Sequence, residues 1–174
     1  HGEGFTAEMV RQKIKAGNYD VLCLTHNETS TGVTNPIEEI AEVLKEYPDI
    51  IFMVDAVSSL AGVKLEVDKL GIDVCLSSSQ KCLAIPPGIS VCSVSQKALE
   101  KSKTVPNRGY YFDYQVFLKY DEKAQTISTP PISQIYALNY QLDKILEEGL
   151  ENRFARHKKM AEFRQTEPTR MVQN

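Results

Sequence analysis

The sequence predicts an α/β fold, with a mostly parallel sheet and helices on both of its faces. Helical and strand-like patterns alternate along most of the chain, which is typical of parallel sheets. The runs VLCL and IIFMV are almost entirely apolar, as expected of strands that are covered on both faces. Polar residues gather after three of the strand-like runs, and the carboxyl ends of parallel strands are where such sheets bind ligands.

The first helix is predicted from a capping residue and from apolar spacing in FTAEMVRQKIKAG. Thr6 is a candidate N-cap, Met9, Val10 and Ile14 lie on one helical face, and Gly17 ends the pattern. The run YDVLCLTH follows and predicts a strand that other elements cover on both faces.

The second helix is predicted in NPIEEIAEVLKEYP, with Asn35 as its cap and Pro36 at its first position. Its apolar stripe consists of Ile37, Ile40, Ala41, Val43 and Leu44. The strand in DIIFMVDAVSS follows and ends on an aspartate. The segment DKLGIDVCLSSS predicts a short helix and a third strand, and GISVCSVSQKALEKS predicts a fourth strand and a helix.

The last third of the chain begins with an aromatic stretch, residues 105–131, that contains proline and glycine and shows no regular period. Long irregular segments in compact domains usually cover a functional site. A long helix is predicted in ISQIYALNYQLDKILEEGLENRFARHKKMAEF, with a bend at Gly149. Residues 164–174 do not continue the helical spacing and are expected to form a tail or a connector.

The composition is that of a globular domain, with 174 residues, 42% of them hydrophobic and 25% charged. A net charge of −3 and a pI near 5.7 exclude a basic surface for nucleic acid. The apolar runs are too short to span a membrane, and no signal peptide is expected at the start. The cysteines at 23, 75, 82 and 92 form no C-x-x-C pair and are expected to be reduced, which favours a cytoplasmic location.

Two residues at predicted strand ends could carry chemistry. Asp55 follows five apolar residues, so its carboxylate should be partly buried and needs a cationic or hydrogen-bonding partner. A helix cap or an ion pair with a lysine is the alternative interpretation. Lys81 follows three serines and Gln80 and precedes the rigid IPPG; by itself it would be a solvated loop lysine. A lysine held near cationic or desolvating groups can instead attack carbonyl groups.

An aspartate and a lysine at neighbouring strand ends together suggest pyridoxal phosphate. This cofactor is held covalently by a lysine, and an acidic partner on its pyridine nitrogen keeps the ring an electron sink. Successive strands of one sheet can bring Asp55 and Lys81 to the same ring although they lie far apart in the sequence.

Residues 19–157 resemble the class V aminotransferases of pyridoxal-phosphate fold type I. The resemblance rests on five motifs in the family's order: THNETSTGV, VDAVSSLAG, GIDVCLSSSQKCLAIPPGIS, STPPISQIYAL and EEGLENRFARHKKMAEF. The chain is most similar to the alanine–glyoxylate, serine–pyruvate and serine–glyoxylate group. Residues 1–163 then correspond to the second half of the cofactor-binding large domain. The family's glycine-rich phosphate turn and its small C-terminal domain, which carries an arginine for the substrate, have no match here.

The resemblance implies the catalytic residues. Lys81 is the lysine that binds pyridoxal phosphate and later moves the Cα proton, and Asp55 is the partner of the ring nitrogen. Val57 packs on the ring, and Ser30 lies beside the cofactor and bonds its ring oxygen.

The resemblance also implies the phosphate contacts and a partner. Gln80 contacts the phosphate, and Thr129 reaches the phosphate of the neighbouring subunit's cofactor, which implies a homodimer with shared active sites. The chain departs from the family at two positions. Asn27 replaces a frequent glycine, and Thr126 replaces a tyrosine that contacts the phosphate in some relatives.

The function implied is a transaminase that moves an amino group between a small amino acid, of alanine or serine type, and a 2-oxo acid such as glyoxylate or pyruvate. One alternative is a related lyase or desulfurase, although Cys82 is better interpreted as a packed residue than as a mobile catalytic thiol. Another is a non-catalytic fragment that serves as a dimerisation module. The basic run RFARHKK is expected to be a solvated helix face. The histidines at 1, 26 and 157 lack metal-ligand spacing, so no metal site is expected.

Overall fold

The computed structural model describes residues 2–166, and both His1 and residues 167–174 lie outside the described part. In chain order, its elements are α1 (Ala7–Lys15), β1 (Val21–Thr25), β2 (Asn27–Glu28), β3 (Val33–Thr34), α2 (Ile37–Leu44), β4 (Ile51–Asp55), β5 (Val74–Ser78), β6 (Ser90–Val94), α3 (Gln96–Thr104), α4 (Tyr114–Asp121), α5 (Ile132–Glu148) and α6 (Leu150–Thr166). Helices precede, separate and follow two groups of three strands, and together with the mostly parallel sheet this order confirms the predicted α/β class.

The main sheet has the strand order β1-β4-β5-β6. The pairs β1–β4 and β4–β5 are parallel, and β6 runs antiparallel to β5. This confirms the prediction of a mostly parallel sheet. The register places Thr25 opposite Asp55, and Asp55 opposite Leu76, so the carboxyl ends of the three parallel strands meet at one edge. The short strands β2 and β3 form an antiparallel hairpin directly after β1.

Helices cover both faces of this sheet, as predicted. On one face, α1 and α2 pack on the inward side chains of the strands, and Phe52 and Val54 are fully buried between them. All five residues of the predicted α2 stripe are buried. On the other face, Ala98 of α3 packs against Ile51 and Val74. Burial of large apolar side chains at both layers is the main stabilising term for such a fold.

Strand β1 corrects one prediction, because it is not covered on both faces. Val21 and Cys23 are exposed. Among residues 2–166, β1 pairs only with β4 and is therefore an edge strand. Thr6 caps α1 by accepting the Met9 amide, as predicted, but the Met9 side chain itself is 53% exposed.

Three predictions about helices are also wrong. Asn35 does not cap α2; its side chain accepts the Phe5 amide at 2.8 Å and donates to the Thr25 carbonyl at 2.8 Å, which ties the end of β1 to the chain start. Pro36 is the N-cap and makes no side-chain cap bond. The short helix expected before β5 is a turn over residues 67–71, which ends at Gly71 with a φ of 64°.

The last third of the structure matches the sequence pattern in part. The aromatic stretch is irregular except for α4, which Asp113 caps by accepting the Gln115 amide at 2.9 Å. The long helix breaks at Gly149, whose φ is 82°, as the sequence predicted. Helix α6 continues to Thr166, beyond the boundary expected at 163. In residues 2–166, no helix combines the length and the apolar character needed to cross a membrane.

Candidate active site

The loops that follow β1, β4 and β5 contact one another at the carboxyl edge of the sheet. Asn27, after β1, donates from Nδ2 to Ser58 Oγ at 3.0 Å, and Ser58 Oγ donates to the Asn27 carbonyl at 2.7 Å. Cys82, after β5, donates from Sγ to the Ser58 carbonyl at 3.3 Å. Ser58 therefore joins all three loops. The sequence placed these polar clusters at one edge, and this placement is confirmed.

Asp55 is the last residue of β4 and is half-buried. Its Oδ1 accepts the amide of Val57 at 2.9 Å, which fixes the carboxylate against the turn that follows. Within the described residues no lysine, arginine or histidine forms an ion pair with Asp55. The ion-pair interpretation is thus excluded for this part of the chain, and the second carboxylate oxygen has no hydrogen-bond partner there.

Lys81 lies at the exposed tip of the loop between β5 and β6. Ser79, which is 1% exposed, closes the base of this loop: its Oγ donates to the Pro86 carbonyl at 2.9 Å, and its amide donates to the Ile89 carbonyl at 3.0 Å. The Lys81 carbonyl accepts the Ala84 amide at 2.8 Å. The backbone under Lys81 is thereby fixed, while its amine has no ion-pair partner in residues 2–166.

Val57 and Gln80 lie next to these two residues. Val57 is half-buried in the turn directly after Asp55, and Gln80 is exposed directly before Lys81. Of the six candidate site residues, the structure therefore places these four on adjacent loops.

Ser30 and Thr129 lie on other segments. Ser30 is exposed in the loop between β2 and β3, where its amide and its Oγ donate to Glu28 Oε1 at 2.9 and 2.6 Å. These hydrogen bonds lower the pKa of Glu28. Thr129 is exposed just before α5. Gln134, in the first turn of α5, lies close to Gly88 in the loop between β5 and β6. No hydrogen bond in the described structure joins Ser30 or Thr129 to Asp55 or Lys81.

Asn27 fits the position where relatives of this kind often have glycine. Its φ is not positive, so the backbone does not require glycine there. The amide side chain donates to Ser58 Oγ and accepts from Thr34 Oγ1 at 2.9 Å. Asparagine thus adds a link between the β1 and β4 loops. Ser58 was not predicted as a site residue, and its place beside Asp55 in the polar run AVSS was the signal for it.

Cys82 is a packed thiol. Burial raises its pKa, and the opposing charges of Arg153 and Lys81 only partly offset this effect. Its Sγ is also committed to the Ser58 carbonyl. Nucleophilic cysteines need a lowered pKa and access to solvent. These features favour the predicted packing role of Cys82 over a role as a mobile catalytic thiol.

Arg153 corrects the interpretation of RFARHKK as a solvated face, because it is only 5% exposed. Its guanidinium donates to one backbone carbonyl in residues 56–73, the loop after Asp55 (the Asp55 loop). It donates to another in residues 79–89, the loop between β5 and β6 (the Lys81 loop). One weak signal of this role is present in the sequence, namely the position of an arginine in the first turn after Gly149.

The residues at this edge fit pyridoxal phosphate. The amine of Lys81 and one oxygen of Asp55 have no partner among residues 2–166, as a covalent anchor and a ring-nitrogen partner require. Ser78 Oγ is buried without a hydrogen-bond partner in the described structure. Ser78 lies two residues beyond Leu76, which pairs with Asp55, so its side chain belongs to the same sheet face as that carboxylate. An unpartnered hydroxyl beside the candidate site suits a polar ligand.

Comparison with known proteins agrees with this geometry. The model of the family Aminotransferase class-V matches residues 2–167. An uncharacterized aminotransferase of Methanocaldococcus jannaschii is 49% identical over 149 residues, which are 84% of this chain and 38% of that protein. Serine–glyoxylate aminotransferase of Arabidopsis thaliana is 38% identical over 91% of this chain and 41% of its own length.

A solved structure has the same fold. The crystal structure of an alanine–glyoxylate aminotransferase from Nostoc sp. superposes with a TM-score of 0.87 at 36% identity, over 93% of this chain and 44% of that one. The chain spans less than half the length of these relatives. Since the family model covers residues 2–167 and the predicted motifs lie on the matching fold, the chain belongs to the class V aminotransferase family.

Proposed function

We propose that the protein is a pyridoxal-phosphate-dependent aminotransferase that moves an amino group between a small amino acid, of alanine or serine type, and a 2-oxo acid such as glyoxylate or pyruvate. The observation that carries this proposal is that the Lys81 amine and one oxygen of Asp55, neither with a partner among residues 2–166, lie at the same edge of the sheet. Residues 1–163 would be the second half of the cofactor-binding domain. The names of the relatives from Arabidopsis thaliana and Nostoc sp. support the choice of substrates.

The proposed roles follow from chemistry and position. When bound, pyridoxal phosphate supplies a ring that stores the electron pair left after Cα deprotonation. The Lys81 amine would hold the cofactor covalently, and in its free form it would move a proton between the substrate Cα and the C4′ carbon of the cofactor. Asp55 keeps a proton on the ring nitrogen, and the Val57 amide holds its Oδ1 in place. The Val57 side chain packs on the ring.

The remaining contacts hold the phosphate and the ring oxygen. Gln80, next to the anchoring lysine, donates to the phosphate. Ser30 bonds the ring oxygen through its hydroxyl, which in this structure donates to Glu28. Thr129 contacts the phosphate in the neighbouring subunit.

The partner in this proposal is a second copy of the protein. Helices α4 and α5 and the segment before them expose large apolar side chains: Phe112 is 84%, Tyr136 74% and Leu146 69% exposed. Exposed apolar surface of this extent is typical of an interface.

In sedimentation velocity the full-length protein should have twice the monomer mass, and Tyr136→Asp should shift it towards the monomer and lower activity. Lys159→Glu, an exposed charge change on α6, is the control. A wild-type monomer with full activity would contradict the shared site.

The function is tested by an assay of the full-length protein loaded with pyridoxal phosphate. Alanine and glyoxylate should yield pyruvate and glycine in equal amounts, and serine should yield hydroxypyruvate and glycine. Chromatography of the products measures both reactions. Release of sulfide from cysteine without glycine formation would replace the proposal by a desulfurase. Failure to bind the cofactor at all would favour the non-catalytic dimerisation module.

We also infer a cytoplasmic location. All four cysteines are free, and Cys23 and Cys92 are exposed thiols, which oxidising compartments do not preserve. Cell fractionation checks this location, and recovery of the protein from a secreted or periplasmic fraction would contradict it.

A further inference from the structure

Arg153 connects the two loops that carry the candidate catalytic residues. Its Nε donates to the Ala61 carbonyl at 2.8 Å, and its Nη2 donates to the Cys82 carbonyl at 2.6 Å. Ala61 lies on the loop that follows Asp55, and Cys82 is bonded directly to Lys81. One buried guanidinium on α6 therefore bonds the backbone of both loops.

These loops contain backbone conformations that neighbouring groups must hold. Ala61 and Ala84 have φ values of 67° and 57°, in the left-handed region that residues with a Cβ seldom adopt. The loops also approach closely: a Cβ at Gly62 would lie 2.5 Å from Cys82 Sγ. Such conformations persist only where surrounding contacts over-determine them, and the bond from Arg153 to the Ala61 carbonyl is one of these contacts.

The guanidinium is itself held in place from the other side. Glu148 Oε2 accepts from Arg153 Nη1 at 2.9 Å, and the same carboxylate accepts from Arg156 at 2.6 and 3.0 Å. Hydrogen bonds from Arg156 and then from Arg153 lower the pKa of Glu148 to about 2, so this carboxylate stays charged at neutral pH. The helix break at Gly149 lies between Glu148 and Arg153.

Only arginine has the geometry for this set of contacts. Its planar fork presents donors in fixed directions to two carbonyls and one carboxylate at once, whereas a lysine ammonium is a compact point charge on a flexible stem. The charge also matters, since hydrogen bonds from an ionised donor are stronger than neutral ones.

We propose that Arg153 is a positioning residue that sets the distance between the Lys81 loop and the Asp55 loop and so prepares the site for its cofactor. The inference rests on the proposed function for its consequence, the binding of pyridoxal phosphate, and on the structure alone for the clamp between the loops. Arg153 does not touch the reacting atoms in this proposal; it acts through the backbone of the residues that do.

The test compares three variants of the full-length protein: Arg153→Met, Arg153→Lys and the control Arg156→Met. Arg156 also bonds Glu148 but bonds no loop carbonyl in the described structure, so it separates loss of the clamp from loss of a helix ion pair. The first measurement is hydrogen–deuterium exchange without cofactor. It follows the amides of Gly62 and Val63, bonded to Ser59, and those of Ala84 and Ile85 in the Lys81 loop. The second is the dissociation constant of pyridoxal phosphate by absorbance titration.

For Arg153→Met we expect exchange at these amides to rise by about tenfold or more, with exchange in β4 unchanged, because loss of the clamp opens the loops locally. Cofactor affinity should fall by a similar factor. Arg153→Lys should show a smaller rise in exchange and a smaller loss of cofactor affinity than Arg153→Met. Arg156→Met should match the wild type in both measurements. The proposal is overturned if both loops exchange as in the wild type, if exchange rises equally in β4, or if Arg156→Met behaves like Arg153→Met. Should the wild type bind no cofactor, the proposed function fails, and the exchange data still decide whether Arg153 clamps the loops.

Discussion

Replacing Lys81 by alanine should abolish the visible absorbance band of the lysine-bound cofactor and lower the transamination rate by about a hundredfold to ten-thousandfold, the range that a positioned acid–base group contributes. Lys81 is both the anchor and the proton carrier in the proposed reaction, so one substitution removes two functions. Its side chain is exposed and has no ion pair among residues 2–166, so its loss should leave the fold intact. Absorbance spectra and initial rates measure the two effects.

Two further variants make this result specific. Lys81→Arg keeps a positive charge at the same loop tip but has no amine that reacts with an aldehyde, so it should lose the band as alanine does. Lys69→Ala removes another exposed lysine, one that pairs with Glu66, and should keep both band and rate. Reduction with borohydride followed by mass spectrometry should place the trapped cofactor on residue 81. A band and a rate that survive in Lys81→Ala would refute the assignment.

The sheet and the position of the site could be predicted because both depend on local patterns. Apolar runs of strand length, separated by amphipathic helices, leave few alternatives to a parallel sheet. Parallel strands have their carboxyl ends at the same edge of the sheet. Asp55 ends β4 and the Lys81 loop follows β5, so the two are neighbours in the structure. The stripe of α2 and the break at Gly149 follow from side-chain size and from backbone freedom at single positions.

The contacts between distant segments could not be predicted in this way. Arg153 bonds residues that precede it by 92 and 71 positions, and no local pattern of charge distinguishes it from Arg156, which lies on the exposed side of the same helix. Asn35 has the residue type and position of a helix cap. Its side chain instead hydrogen-bonds the Phe5 amide and the Thr25 carbonyl, which belong to other segments. In both cases the tertiary partner decides the role.

The order of the strands in the sheet also could not be predicted from the sequence. The run VLCL has the same apolar character as IIFMV, but β1 lies at the edge of the described sheet and β4 in its centre. Apolar composition alone does not state how many neighbours a strand has. The exposed thiol of Cys23 and the exposed Val21 follow from this position and not from any feature of the strand itself.

The second large effect is expected for Asp55→Asn. The amide side chain has nearly the same shape, and its oxygen can still accept the Val57 amide that Asp55 Oδ1 accepts at 2.9 Å. The change removes only the negative charge. A carboxylate within about 4–6 Å raises the pKa of a nearby nitrogen base by roughly 1 to 3, and each pKa step of 1 corresponds to a factor of about ten. Turnover should therefore fall by about tenfold to a thousandfold while the cofactor stays bound to Lys81.

The separation of binding from turnover is what identifies the role of Asp55. If this residue only braced the turn at Val57, asparagine would preserve the bond and the rate together. Asp20→Asn is the control, because it removes an exposed carboxylate that pairs with Lys101 before β1, at the other end of the sheet. We expect Asp20→Asn to match the wild type in both measurements. An Asp55→Asn variant with bound cofactor and unchanged turnover would show that the ring nitrogen needs no charged partner, and the assignment of Asp55 would be lost while that of Lys81 stood.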